Sequence, residues 1–384
     1  VLHKFKKIDP LIVFLLLAFM VISTLLLYSA TLNDSMFTFD TKKLAIVYSI
    51  SIVAFFLTAA FDYRVLIKTS YYLYGIGILL LVAVYFFGSK INGARGWFKG
   101  LPFGLDFQPV ELVKIILILT LATFMARRKG EPLELLRDVI PIGLIALLPI
   151  SLVIIQPDLG NAIILGVILI GMYWIGNIKL IYAFLGAAII TGLSYLFIFL
   201  FKLYHVPLQA FLRSKELPTH WMDRINTFVN PTEADKNDTY HVDNAIRAIG
   251  SGSLTGEGYL NGSSIHSNFI PVAYTDSIFV VVGEEFGFVG ASILLLMYFV
   301  LIYRMILISI YCDNYAGSFI IIGIVSMLVF QIFQNVGMMI GIMPLTGITL
   351  PFISYGGTSL LINMVAMGLV MSIRMHDDKL LDEE

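Results

Sequence analysis

Ten long apolar runs dominate this chain, near residues 11–30, 44–61, 71–88, 110–126, 139–156, 161–176, 180–202, 277–303, 316–340 and 358–373. A helical bilayer crossing takes ~20 mostly apolar residues, so ten crossings consume ~200 of them, about half of the 384 present. Only 13% of the residues are Asp, Glu, Lys or Arg and 58% are hydrophobic, against roughly 25% charged in a soluble domain. A water-soluble globule is excluded. The chain reads as an all-α polytopic membrane protein, with no repeat or linker dividing residues 1–384 into more than a single integral membrane domain. The first run follows His3-Lys4-Phe5-Lys6-Lys7, a basic stretch like that of a leader peptide. That run is too long for a leader and no small-residue cleavage site follows it, so it reads as a retained helix.

Basic residues set the orientation. With the N-terminus inside, the inner side holds thirteen: Lys4, Lys6, Lys7, Arg64, Lys68, Arg127, Arg128, Lys129, Arg137, Lys179, Arg304, Arg374 and Lys379. The short outer loops hold five: Lys42, Lys43, Lys90, Arg95 and Lys99. Both termini are therefore expected in the cytoplasm and the 203–276 segment outside. That segment is rich in Gly, Asn, Asp and Ser, and a loop so long is usually functional or disordered. Within it, Val242–Leu254 has apolar residues at 242, 245, 246 and 249, the pattern of a short amphipathic helix suited to lie on the membrane surface.

A formal net charge of −1 carries no basic footprint for nucleic acid. The single cysteine, Cys312, excludes an internal disulfide and reads as a small buried side chain. Gly250-Ser251-Gly252 and Gly256-Glu257-Gly258 mimic a nucleotide loop, but the spacing is wrong and no strand precedes them. The sequon at Asn237-Asp238-Thr239 is a frequent chance pattern.

Ionisable groups against a membrane span are costly and point to function. Glu111 and Lys114 stand three residues apart on one helical face at the outer end of the fourth run. They read either as a structural ion pair or as a site where Lys114 meets an anionic headgroup and Glu111 holds it. Asp158, in Gln156-Pro157-Asp158-Leu159-Gly160, is a good turn former and helix cap and needs no further function to explain it. Trp97, beside Arg95, reads as an interfacial anchor. The stretch from Met343 to Ser359 is too apolar for a solvated loop and too broken by Pro and Gly for a helix. It fits a re-entrant segment covered by protein and lining a polar cavity. Asp276 closes the long loop and opens the eighth helix, either as an ordinary cap or as a functional carboxylate. Glu284, two turns on, leans to within ~80° of the same face. The two carboxylates together point to a polar pocket opening outward.

Taken together, GARGWF (93–98), QPVELVK (108–114), QPDLG (156–160), YHVDNAIRAIGSGSLTGEGYLNG (240–262), PVAYTDSIFVVVGEEFGFVG (271–290) and NVGMMIGIMPLTGITLPFISYGGTSL (335–360) resemble the SEDS family of shape, elongation, division and sporulation proteins. Tyr240-His241-Val242-Asp243 and the GIMPLTGI run are more similar to RodA than to FtsW. The chain departs from the family pattern at Val110, Val272 and Ser277, where a Ser, an acid and an aromatic residue are usual.

The resemblance implies a peptidoglycan glycosyltransferase that polymerises lipid II on the outer face of the bacterial cytoplasmic membrane. It would move a glycan from undecaprenyl diphosphate to the 4-hydroxyl of an acceptor sugar with inversion. A division- or sporulation-specific member is the other reading within the family. A class B penicillin-binding protein is the implied partner, alongside membrane lipids. Resemblance puts Asp276 in the role of base, and Lys114, Arg224 and Arg95 are the candidate cations for the departing diphosphate. Glu111 and Glu284 complete the expected substrate-binding set. A divalent cation, Mg or Mn, is admitted as a helper, and no other cofactor is called for. The rival reading is a flippase for lipid-linked precursors, which would be expected to hold its charges near the midplane. A scaffold that only recruits a transpeptidase is a third.

Overall fold

The computed structural model describes residues 7–32, 40–91, 94–100, 106–214, 236–267, 269–270 and 272–377. The ten expected runs are all helical: α1 (Pro10–Thr31), α2 (Thr41–Ala60), α3 (Tyr63–Phe87), α4 (Pro109–Met125), α5 (Ile140–Ile155), α6 (Leu159–Ile175), α7 (Leu180–Ser214), α10 (Ile278–Tyr311), α11 (Tyr315–Met339) and α12 (Gly357–His376). Two further helices, α8 (Lys236–Ser251) and α9 (Ser263–His266), lie between α7 and α10, and a hairpin of β1 (Ser89–Ile91) and β2 (Ala94–Trp97) follows α3. Nine helices are long and apolar enough to cross a membrane among the described residues, and α6 is a shorter apolar one.

Polar residues move several ends away from the edges that hydropathy sets. α3 begins at Tyr63 rather than 71, because the Asp62 carboxylate accepts the Arg64 N–H and starts the helix one polar stretch earlier. Asp9, Asp40 and Asp158 cap α1, α2 and α6 in the same way. α7 runs past 202 to Ser214 and α10 past 303 to Tyr311. Arg64 and Lys68, expected in a loop, therefore ride on the first turns of α3.

α4, α11 and α12 form the buried centre, and α7 is exposed along nearly all of its described length. α2 lies directly on α12, where a Cβ on Gly368 would sit 2.6 Å from the Phe55 carbonyl oxygen. Small residues permit such close backbone approach in membranes. The end of the bundle that carries both termini is tied by Asp9, whose carboxylate accepts from Arg304 (Nε, 3.0 Å) and Arg374 (Nη1, 2.5 Å). Burial pushes the Asp9 carboxyl up, and the two guanidinium groups outweigh it and hold it below the ordinary range. Cys312 is half-buried at this same end, not fully buried as expected, and donates to Asp377 (2.9 Å). Burial pushes its thiol up to about 12.

At the other end, the loop face, the glycine-rich stretch has a structural use. A Cβ on Gly252 or Gly256 would come within 1.9 and 2.1 Å of the carbonyl oxygens of Gly283 and Glu285. α10 breaks at Gly287 (φ 62°), and the glycine-rich turns that follow α8 supply hydrogen-bond partners beside the break. Glu257 N–H donates to Glu284 O (2.9 Å), Gly258 N–H to Glu285 O (3.0 Å), and Phe288 N–H to Ser253 O (3.0 Å). α8 begins at Lys236 and ends at Ser251, earlier at both ends than the amphipathic pattern indicates. Its apolar side faces α10, with Ala245 and Ala248 buried and Ile249 against Gly283. Through that face it packs on protein.

The segment between α11 and α12 has no regular structure. Its backbone is satisfied by side chains from several helices: Ser23 of α1 donates to Ile353 O (2.6 Å), Tyr298 of α10 to Pro351 O, and Gln334 of α11 to Pro344 O (2.9 Å). Ile348, Leu350, Phe352 and Ile353 are buried. This is irregular backbone covered by protein, as a re-entrant segment requires.

Candidate active site

A cavity of about 520 Å³ opens on the loop face, bounded by α2, the β2–α4 connection, the α5–α6 turn, the Asp276 segment and the irregular stretch before α12. Its charged lining is Lys43, Asp106, Glu111, Asp158 and Asp276, with Trp97, Gln108, Asn161, Gln331 and the hydroxyls of Thr275, Thr346, Thr349, Thr358 and Ser359 between them.

Asp276 lies in the turn just before α10. The N-cap of α10 is Ser277, and no side chain caps that end, so the Asp276 carboxylate is not spent on the helix. Its Oδ1 accepts from Thr275 Oγ1 at 2.9 Å. Its Oδ2 receives no hydrogen bond from a described side chain and faces Gly347, where a Cβ would be 3.8 Å away. Gly347 has φ 72°, a backbone that favours glycine. The Asp276 carbonyl is held by Asn335 Nδ2 at 2.7 Å, and the same amide group donates to Ile348 O at 2.7 Å. Asn335 is fully buried and so clamps the two segments that flank the cavity. Tyr355 N–H adds a second tie, to Tyr274 O at 2.9 Å.

Glu111 and Lys114 pair at 2.7 Å. Glu111 lines the cavity, and Lys114 sits behind it with no exposed surface. The ion pair forms as one of the two expected readings had it, and the Lys114 ammonium is not part of the cavity wall. The second Glu111 oxygen, Oε2, is buried without a hydrogen-bond partner. Asp158 caps α6 through Asn161 N–H (3.2 Å) and also accepts from Asn161 Nδ2 (2.9 Å) and Gln108 Nε2 (3.2 Å). Burial raises its carboxyl above the ordinary range, against the Asn161 hydrogen bonds and the Lys114 charge. Capping and cavity lining thus coincide in one side chain.

Three other expectations resolve differently. Glu284 does not line the cavity. It turns to the loop segment, where its carboxylate accepts from the N–H groups of Ser264 (2.7 Å) and Ile265 (3.2 Å) at the start of α9. Arg95 also lies off the cavity wall, its Nη1 donating to Tyr85 O at 3.2 Å, whereas its neighbour Trp97 lines the cavity. Arg224 lies outside the described residues. Lys43, Asp106 and Gln331 were not singled out in the sequence, and Gln108 entered only as the first residue of QPVELVK. Lys43 and Asp106 have no signal there beyond ordinary polarity outside the apolar runs, and Gln331 is one polar residue inside a run.

Comparison with known proteins agrees with this architecture. The model of the FtsW, RodA and SpoVE family, described as cell cycle protein, matches residues 7–379. Peptidoglycan glycosyltransferase MrdB of Escherichia coli (strain K12) is 34% identical over 370 residues, covering 96% of this chain and 94% of that one. A chain from a structure of a peptidoglycan synthase complex that coordinates polymerization and crosslinking superposes with a TM-score of 0.76 at 27% identity, over 97% of this chain and 99% of that one. The crystal structure of the rod shape determining protein RodA from Thermus thermophilus gives a TM-score of 0.67 at 28% identity, each chain covered to 96%. With its full-length match and its membrane bundle built to the same plan, this chain belongs to the FtsW, RodA and SpoVE family of multi-pass bacterial membrane proteins.

Proposed function

We propose that this chain is a peptidoglycan glycosyltransferase that polymerises lipid II into glycan strands on the outer face of the cytoplasmic membrane, serving cell elongation and rod shape. The observation that carries the reading is Asp276: a carboxylate at a cavity wall, free of capping duty, with one oxygen open to the cavity. A glycosyl transfer with a diphosphate leaving group needs a base for the attacking hydroxyl more than it needs an acid. Asp276 Oδ2 takes the proton of the acceptor's 4-hydroxyl as that oxygen bonds to the anomeric carbon from the face opposite the diphosphate. The sugar–phosphate bond breaks and the diphosphate departs with its electron pair, inverting the centre. The Thr275 hydrogen bond to Oδ1 fixes the carboxylate's orientation.

Glu111, set by Lys114, and the hydroxyl and amide groups of the lining are the sugar-binding surface in this reading. Glu284 serves it indirectly, by holding α9 to α10. Arg224 keeps its candidacy as a cation from the 203–276 segment, and Arg95 supports the turn that presents Trp97. No group of three or more His, Cys, Asp or Glu side chains among the described residues is placed to hold a metal ion. Among the described residues the donor set does not form a protein-only metal site.

The thirteen-to-five charge bias supports a loop face directed outward and termini in the cytoplasm. A class B penicillin-binding protein is the proposed partner, supported by the synthase complex that this chain resembles. Whereas a flippase would be expected to hold its ionisable groups near the midplane, here they come from the ends of helices and from loops.

The test is polymerisation of purified lipid II in detergent by the purified chain, with and without the partner. Glycan polymer from the pair supports the reading, and none from the wild type with its partner overturns it. For orientation, Thr255→Cys in a Cys312→Ser background should react with an impermeant thiol reagent on intact cells. Reaction of Arg137→Cys instead would reverse the topology.

A further inference from the structure

The cavity has a charge problem. A lipid-linked diphosphate must enter a wall that carries Asp106, Glu111, Asp158 and Asp276. Lys114 is sealed behind Glu111 and neutralises it. Arg95 is turned to the Tyr85 carbonyl. An anion placed among the remaining carboxylates is repelled unless a cation meets it. Among the described residues, Lys43 is the one cationic side chain in the lining.

Lys43 stands in the first turn of α2, with Val47 one turn on along the same face, and both line the cavity. α2 is anchored by its other face, through Leu44, Phe55 and Ala59, so its cavity side is presented from a fixed helix. The Lys43 backbone N–H is capped by Asp40 (3.1 Å), yet its side chain has no ion pair among the described residues. A partly exposed, uncommitted ammonium on a flexible stem can follow a diphosphate as charge builds on it.

We propose that Lys43 binds the diphosphate of the lipid-linked substrate and stabilises it as it leaves, the role that the sequence pattern assigns to Lys114. This rests on the glycosyltransferase reading above.

The test uses the full-length chain with its partner. It compares wild type, Lys43→Ala and Lys43→Arg for kcat/KM on lipid II and for inhibition by undecaprenyl diphosphate and by undecaprenol. Loss of a charge-assisted hydrogen bond lowers kcat/KM roughly 10- to 100-fold. Lys43→Ala should lose that much and weaken inhibition by undecaprenyl diphosphate by a similar factor, with undecaprenol unaffected. Lys43→Arg should recover part of both. A merely structural lysine would move the two inhibitors together or neither. Unchanged inhibition by undecaprenyl diphosphate in a folded Lys43→Ala overturns the proposal. The direct affinity of undecaprenyl diphosphate, read from its shift of the thermal midpoint, separates the two claims. If the wild type makes no polymer but Lys43→Ala still loses that affinity, the glycosyltransferase reading fails and Lys43 stands as a diphosphate ligand without a part in the transfer. If polymer forms and the affinity is unchanged, Lys43 fails alone.

Discussion

Replacing Lys114 by methionine leaves the Glu111 carboxylate in a nearly dry site. The pair is 2.7 Å apart, Lys114 has no exposed surface and Glu111 is 5% exposed. At an effective dielectric of about 20, two unit charges at that separation attract by about 6 kcal/mol. Desolvation of both groups offsets most of this in the intact pair, but removing one partner exposes the other's uncompensated burial, typically about 3–5 kcal/mol. Lys114→Met and Glu111→Gln should therefore each lower stability by about that amount, whereas the double substitution should come within about 1 kcal/mol of wild type. For a chain of 384 residues, a loss of 4 kcal/mol corresponds to a fall of about 5 °C in the thermal midpoint. The assay is thermal unfolding in detergent across the four-member cycle. Singles as stable as wild type, or a double whose loss is the sum of the singles, would refute the view that the two charges hold each other.

Asp9→Asn should lower stability at neutral pH by about 3–5 kcal/mol, since Arg304 and Arg374 lose their shared carboxylate. Because Asp9 titrates below its unfolded value in the folded chain, its contribution is complete above the ordinary carboxylate range and disappears as pH falls through the lowered value. A midpoint-versus-pH series on the two proteins should show the wild type losing its advantage only in acid. Asn335→Ala should fold and insert, yet lower kcat more than it raises KM, by about 10-fold, because two backbone carbonyls beside the base lose their shared donor. Steady-state kinetics on lipid II would reveal it. Gly256→Ala should lower the thermal midpoint, since φ is +81° and the new Cβ would lie 2.1 Å from the Glu285 carbonyl oxygen.

The ten crossings were legible because a bilayer demands length and apolarity and little else. The ends were less so, since Asp62 begins α3 inside a polar stretch that hydropathy counts as loop. α8 was legible as an amphipathic helix, but what its apolar face meets was not, because Gly283 and Ile249 touch only once α10 is in place. Asp276 and Glu111 stood out as charges at the edge of a span. Glu284 was misread through helical angle alone: the loop that returns at Ser264 and Ile265 claims its carboxylate first. Lys43, in the first turn of α2, and Asp106, in a loop, carry ordinary surface chemistry, and only the convergence of five segments of the chain on one cavity marks them.

In the proposed transfer Asp276 removes the acceptor's proton, and one substitution isolates that step. Asp276→Asn keeps the shape and can still accept the Thr275 hydrogen bond, but it cannot take a proton. Loss of a general base typically costs ~10²–10⁴ in rate. With purified protein, partner and lipid II in detergent, where no membrane has to be crossed, Asp276→Asn should keep the wild-type thermal midpoint and make almost no polymer. Polymer at a rate near that of the wild type would contradict it.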